Sequence, residues 1–306
     1  MRGVVFRGNR QIDIMNSADP MPGPGEAVIE MKASGMCGSD LHFYRNRPAD
    51  VIRSLGFKDM ASRGIDENAS IVAGHEPCGV IASVGAGVDA KSFKVGDRVI
   101  VFHYEGCRDC DHCRTGWTQM CDQGAVLHGV VAHGGHADYM KDPVSSLVHL
   151  PQELSFTVGA AVSCGTGTAY GALTRLEISA RDSLAVFGLG PVGLSAVQLA
   201  AAMGVEVIGI DIAADRVKRA AEFGAAHVLD GTKTDPVEAI RALTAGKGVT
   251  CAMDCAGSEV ARQQAVRSTR PWGKIALVAI GGNLTVDAMK DLIGKQRTVI
   301  GSYTFS

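Results

Sequence analysis

"LAVFGLGPVGLSAVQLAAAMGVEVIGID", Leu184 to Asp211, decides the architecture of half the chain. An apolar run breaks at a glycine-rich turn, resumes as an alanine-rich helical segment and returns as a second apolar run that closes on an acid. Gly188, Gly190 and Gly193 form G-x-G-x-x-G in that setting. A lone match means little, but one between a strand and a helix, with an acid closing the next strand, is a dinucleotide fingerprint. The first glycine allows the tight turn, the second lets the backbone approach a pyrophosphate, and the third lets helix and strand pack closely. The helix N-terminus turns its positive dipole end to the phosphates. A carboxylate at Asp211 accepts hydrogen bonds from ribose hydroxyls and repels a 2′-phosphate, which predicts NAD rather than NADP. Leu184 to Val205 is uncharged and long enough to span a bilayer, but "GLGPVG" and Gln198 interrupt it, so strand–turn–helix is the better reading.

Outward from this stretch the same pattern repeats. "EVIGID" leads into "AADRVKRAAEFG", "AHVLD" into "DPVEAIRALTAG", and "VTCAMDCAG" into "VARQQAVRSTR", before "GKIALVAIGG" and "RTVIGSY". Strands alternating with helices predict a parallel sheet wrapped by helices. The other half differs. "EAVIEMKASG", "CGVIASVGAGV" and "VGDRVIVF" read as strands punctuated by Gly and Pro, with a short helix expected within Asp50–Arg63. The change falls near "LVHLPQELS", so two domains are expected, 1–152 and 153–306. A length of 306 residues suits two domains, and a net charge of −2 gives no reason to expect nucleic acid or an anionic membrane as partner. The N-terminus shows no signal-peptide core and the nine cysteines are odd in number, so the expected compartment is the cytoplasm.

Four of those cysteines stand in "CRDCDHCRTGWTQMC". Cys107, Cys110, Cys113 and Cys121 offer four thiolates from one polar loop, which is the donor set of a closed, structural zinc site. A disulfide knot would need an oxidising compartment. His112 lies inside the cluster but is superfluous to it. Cys78 reads as a small core residue, and Cys251 and Cys255 as packed neighbours on one apolar strand. His128, His133 and His136 read as loop histidines without a metal. Asp287 and Asp291, in "DAMKD" and "MKDLIGKQ", read as solvated surface.

"GHEPCGVIASVG", "CGSDLH", the four-cysteine loop, "VSCGTGTAYGAL" and "GLGPVG" with Asp211, in that order, resemble the zinc-dependent medium-chain alcohol dehydrogenases along nearly the whole chain. The resemblance implies a GroES-like β-barrel catalytic domain followed by a Rossmann doubly wound parallel sheet, with the active site in the cleft between them. It implies two zinc ions and NAD. Cys37, His75 and Cys164, too far apart for spacing to select, match the ligands of a catalytic zinc, and the four-cysteine loop matches the structural one. Glu76 matches an acidic neighbour of the catalytic metal. Ser39 and His42 match a proton relay, and Asp40 matches a carboxylate that orients a ligating histidine. Gly188, Gly190, Val192 and Gly193 match the cofactor turn. Asp211 and Arg216 match contacts to the adenosine half.

The function that follows is hydride transfer between an alcohol (primary, secondary, cyclic or polyol) and NAD, giving an aldehyde or ketone, by a homodimer or homotetramer. The alcohol's proton would leave through Ser39 and then His42. A zinc-independent or non-catalytic member of the fold, or a redox-sensing zinc protein, is the alternative. The intact ligand set argues against the first two, and the intact glycine fingerprint against the third. Polyol dehydrogenases of this superfamily often carry Glu where Cys164 stands, which leans the ligation toward the alcohol dehydrogenases. The stretch from Cys37 to His75 is longer than the family usually has, and the segment within Tyr44–Ser70 is expected to form a partly helical lid over the substrate. The chain stops just after "RTVIGSY", where the family continues with a further helix and strand, so a C-terminal truncation is expected.

Overall fold

The computed structural model describes residues 1–54 and 69–305. They divide into two compact units, Met1–Cys164 and Gly165–Phe305. Residues 55–68 of the expected lid segment lie outside the described residues.

In the first unit β1 (Arg2–Gly8) and β2 (Gln11–Asn16) form an antiparallel hairpin. There follow β3 (Glu26–Ser34), α1 (Gly38–Arg45), α2 (Pro48–Ser54), β4 (Pro77–Val84), β5 (Arg98–Val101) and β6 (Tyr104–Glu105). Then come α3 (Asp111–Arg114), β7 (Val126–Leu127), β8 (Tyr139–Pro143), β9 (Leu147–His149) and α4 (Phe156–Ala161). The helix expected within Asp50–Arg63 starts earlier, because Pro48 suits a first helical turn. Five strands pair antiparallel in the order β8-β3-β4-β5-β9. Ile29, Ile81, Val99, Val101 and Met140 fill one face of this GroES-like sheet. Cys78, Ile100, Leu150 and Ala160 form a second cluster. Residues 153–164, expected with the Rossmann half, belong by contact to this unit. α4 packs on β3 and β4 so closely that a Cβ at Gly159 would lie 2.5 Å from Cys78 Sγ.

The second unit holds α5 (Gly167–Leu176), β10 (Ser183–Phe187), α6 (Pro191–Ala202), β11 (Glu206–Asp211) and α7 (Ala214–Glu222). It continues with β12 (His227–Asp230), α8 (Pro236–Leu243), β13 (Val249–Asp254), α9 (Glu259–Ser268), β14 (Thr269–Leu277) and β15 (Thr298–Gly301). All six strands are parallel, in the order β12-β11-β10-β13-β14-β15. Helices cover both faces, so β10 is apolar throughout instead of alternating. Leu184 and Val186 pack with Leu173, Leu176, Ala196 and Val197. Ala185 and Phe187 face Ile240, Ala265 and Val266. Helix starts follow local chemistry. Asp235 caps α8 ahead of Pro236, and the Ser258 hydroxyl accepts from Ala261 N–H at the start of α9. No helix among the described residues is long and apolar enough to cross a membrane.

Two local readings change. Cys255 lies just past the end of β13, so it does not share a strand with Cys251, although both pack against the same core. Asp291, expected in water, is largely covered. It accepts from Asp287 N–H at 3.0 Å and lies 3.6 Å from Arg267, because the chain turns tightly around it after β14.

Leu184, at the centre of the sheet, has no exposed surface. Leu184→Ala is expected to cost about 2–5 kcal/mol, read as a lower denaturation midpoint with an unchanged slope.

Candidate functional site

The ligand positions of the first unit are brought together by α1, the start of β4 and a π-helical turn, Val162–Thr166. Cys37 is the residue before α1, His75 and Glu76 directly precede β4, and Cys164 sits on the π-helical turn. Turns of this kind recur at functional sites because they re-aim one side chain out of a regular helix. One donor atom each from Cys37, His75, Glu76 and Cys164 lies within 4.8 Å of all the others. His75, Glu76 and Cys164 are buried and Cys37 is half-buried.

Asp40 organises this group. Its Oδ2 accepts from the Cys37 backbone N–H at 2.7 Å, and its Oδ1 lies 3.2 Å from His75 Nδ1. A carboxylate on Nδ1 leaves Nε2 for a metal, and this is the usual support of a ligating histidine. Ser39 Oγ stands 3.2 Å from that same Nε2, which places the hydroxyl beside the donor atoms. His42 is one helical turn further along α1 and exposed. Backbone geometry at Gly35 makes room for Glu76, since a Cβ there would lie 2.0 Å from Glu76 Oε2.

The electrostatics are those of acidic groups crowded out of water. A hydrogen bond with Cys164 does most to bring the Cys37 thiol down to about 3, helped by His75 and Ser39 and opposed by burial. That shared bond, with burial, pushes Cys164 well above the ordinary thiol range. Burial disfavours a charged His75, but Asp40 and Cys37 together raise it to about 10. Burial, then the Cys37 charge, raises Glu76 to about 7. Two thiols, an imidazole and a carboxyl in one dry pocket form a donor set whose charge a divalent cation balances, and Glu76 Oε1, buried without a partner among the described residues, is a spare donor within it. The residues fit zinc with three protein ligands and an open position.

The four-cysteine loop fits zinc differently. Cys107 and Cys113 Sγ are 3.9 Å apart, far beyond disulfide length but close to the edge of a zinc–thiolate tetrahedron, about 3.8 Å for bonds of about 2.3 Å. Backbone N–H groups of Cys110 and Asp109 point at Cys107 Sγ (3.3 and 3.5 Å), and that of Cys107 points at Cys121 Sγ (3.3 Å). Such bonds stabilise thiolate. His112 turns away toward Asp122, 3.5 Å distant.

In the second unit Gly188 has φ +93°, and a Cβ there would lie 2.7 Å from the Ala256 backbone nitrogen. At Gly193 a Cβ would lie 1.9 Å from the Gly188 carbonyl oxygen. At Gly190 it would meet nothing, so that the open approach lies where a pyrophosphate is expected. Val192 packs its side chain into the core beneath the turn. Asp211 does more than its position announced. Oδ2 accepts from Leu189 N–H (2.7 Å), and Oδ1 from Ile212 N–H (2.7 Å) and Ala213 N–H (2.9 Å). A carboxylate has about four acceptor directions, so one remains for a ribose hydroxyl. Arg216 lies 3.7 Å from it, with its side chain half exposed.

The other histidines are structural. His128 Nδ1 pairs with the His133 carbonyl at 3.1 Å and its Nε2 lies 3.3 Å from buried Asp142. His133 Nδ1 accepts from Val72 N–H, and His136 Nδ1 lies 2.7 Å from Ser34 Oγ. Sequence reading missed His103. It is 1% exposed, its ring packs edge-on to His75 with centroids 5.2 Å apart, and its Nδ1 has no hydrogen-bond partner among the described residues. No spacing rule marks it, because its meaning comes only from the fold that sets it against a ligand.

Comparison with known proteins shows the family. The alcohol dehydrogenase GroES-like domain matches residues 23–152, and the zinc-binding dehydrogenase family matches 191–306. An uncharacterized zinc-type alcohol dehydrogenase-like protein of Escherichia coli K12, YphC, is 37% identical over all of this chain and 84% of its own length. The chain belongs to the zinc-type alcohol dehydrogenases. Among other family members, sorbitol dehydrogenase of Bacillus subtilis is 32% identical over 92% of this chain and 75% of its own. The rspB alcohol dehydrogenase of E. coli CFT073, whose crystal structure holds NADH, superposes with a TM-score of 0.84 at 26% identity, covering 100% of this chain and 84% of that one. Like its family, this dehydrogenase is an oxidoreductase that uses zinc and NAD to interconvert alcohols and carbonyl compounds.

Two outcomes follow for the dehydrogenase. Cys110→Ala should halve the zinc measured by atomic emission, from two per chain to one, and lower the thermal midpoint by several degrees. Asp211→Ser should weaken NAD about tenfold and narrow its advantage over NADP in kcat/KM. A wild-type preference for NADP would contradict the role given to Asp211.

Proposed function

We propose that Cys37, His75 and Cys164 hold the catalytic zinc, with Glu76 as its acidic neighbour, and that Cys107, Cys110, Cys113 and Cys121 hold the structural one. The carrying observation is the convergence of Cys37, His75, Glu76 and Cys164, drawn from three separate stretches of chain onto one buried point. Zinc bound there lowers the pKa of an alcohol hydroxyl and polarises a carbonyl. Asp40 keeps His75 in one tautomer and orientation by its contact with Nδ1. Ser39 takes the alcohol's proton at its Oγ, and His42, exposed one turn along the same helix, passes it to water. Gly188, Gly190, Val192 and Gly193 would seat the pyrophosphate of NAD, with Asp211 and Arg216 at the adenosine ribose, and the cofactor would supply the hydride acceptor.

The substrate is a small alcohol, with primary, secondary, cyclic and polyol alcohols as the classes to compare. The names of the relatives, sorbitol and alcohol dehydrogenase among them, support that range. Nine unpaired cysteines support a cytoplasmic location. Assembly as a homodimer or homotetramer rests on the resemblance to the family.

A panel of those alcohols with NAD, followed at the nicotinamide absorbance, tests the reaction and ranks the classes. Cys164→Ala should lose turnover by two or more orders of magnitude while NAD binding and the midpoint of unfolding stay within error. Ser39→Ala should also lose turnover, and His42→Ala should lose less, with part recovered by added imidazole buffer. Near-normal turnover in Cys164→Ala would end the assignment of the catalytic ligands.

A further inference from the structure

Arg262, in the first turn of α9, is a buried cation with all its reach spent nearby. Its Nε donates to Asp254 Oδ2 at 2.9 Å, one terminal nitrogen to the Gly282 carbonyl and the other to the Ala279 carbonyl, both at 2.6 Å. Asp254, fully buried at the end of β13, accepts from the N–H groups of Ala256 and Gly257 at 3.0 Å each. One ion pair therefore grips two loops, 255–257 after β13 and 278–282 after β14. The loops are pressed together. A Cβ at Gly257 would lie 2.6 Å from the Ile280 carbonyl oxygen, and one at Gly282 would lie 2.5 Å from that of Gly257.

A buried ion pair adds little stability that packed apolar side chains would not, but a guanidinium fork fixes geometry tightly. What it fixes here lies at a particular place. In an open parallel sheet a dinucleotide lies across the carboxyl ends of the strands, where the strand order reverses. That reversal falls between β10 and β13. Asp211 marks the adenosine side, at the end of β11. The loop 255–257 abuts the fingerprint turn, for Cys255 N–H donates to the Phe187 carbonyl at 2.8 Å. A dinucleotide running from β11 across β10 sets its other half over the ends of β13 and β14, on the two gripped loops.

We infer that Arg262, through Asp254, is a positioning residue for the nicotinamide half of NAD. The inference rests on the reading that the Gly188–Gly193 turn and Asp211 hold NAD. The bonds of the clamp run between residues 254 and 282, apart from Asp211 at the adenosine end. It sets the height and spacing of the backbone on which the nicotinamide ring and carboxamide rest, and so the alignment for hydride transfer.

The test uses the zinc-loaded full chain, with Arg262→Lys, Arg262→Met and the neutral pair Asp254→Asn/Arg262→Gln, the last avoiding an unpaired buried charge. ADP reports the adenosine end, NADH both ends, and turnover of the best alcohol of the panel is compared with that of its carbinol-deuterated form. The expected result, below the unfolding range, is ADP affinity within twofold of wild type and NADH affinity about tenfold weaker. kcat should fall ten- to hundredfold, and the deuterium isotope effect on kcat should rise as hydride transfer becomes limiting. Arg262→Lys should fall between the others and wild type. Equal losses of ADP and NADH affinity would overturn the inference, as would a lowered thermal midpoint with kcat and isotope effect unchanged. If wild type itself bound neither ADP nor NADH, the cofactor reading would fall and this inference with it.

Discussion

The first unit turns on one carboxylate. Asp40 accepts from the backbone of Cys37 with one oxygen and faces the ring of His75 with the other. Two of the three proposed metal-ligand positions therefore answer to a single buried side chain on α1. The third, Cys164, arrives from a π-helical turn more than a hundred residues later, where no local interaction could set its position. The precision of the site thus depends on how firmly α1, the start of β4 and that turn are packed, and Asp40 removes most of the freedom the first two would otherwise have. A carboxylate serves better than an amide here. It accepts at both oxygens without rotating and leaves the imidazole richer in electrons for a metal.

The second unit uses carboxylates in a similar way. Asp211 ties the glycine turn to the loop after β11, and Asp254 ties the loop after β13 to Arg262. Each stands at the carboxyl end of a parallel strand, where successive N–H groups leave regular pairing and need acceptors. An acid there both ends the strand and shapes the loop beyond it.

How much of this could be read from sequence followed from how local each feature is. The fingerprint turn and the four-cysteine loop each lie within a short stretch, so spacing and residue type revealed them without a fold. Cys37, His75 and Cys164 could not be selected that way and needed the family resemblance. His103, the second task of Asp211 and the Asp254–Arg262 pair were not legible at all. Their partners are backbone groups or side chains brought near by packing, and backbone acceptors leave no mark in a sequence. The placement of residues 153–164 failed to show for a related reason: a small apolar helix reads alike whichever sheet it covers, and only the fit of Gly159 against Cys78 decides.

The four-cysteine loop keeps all its proposed ligands, and the N–H groups that serve their sulfurs, between Cys107 and Cys121. Its donor set is in effect written in one short passage of the gene. Its packing is not local, since the four cysteines lie against the core of Phe6, Phe43, Tyr104 and Leu127. The other cluster has no such passage. Its proposed donors are scattered along the genetic text, so no one short deletion removes them together.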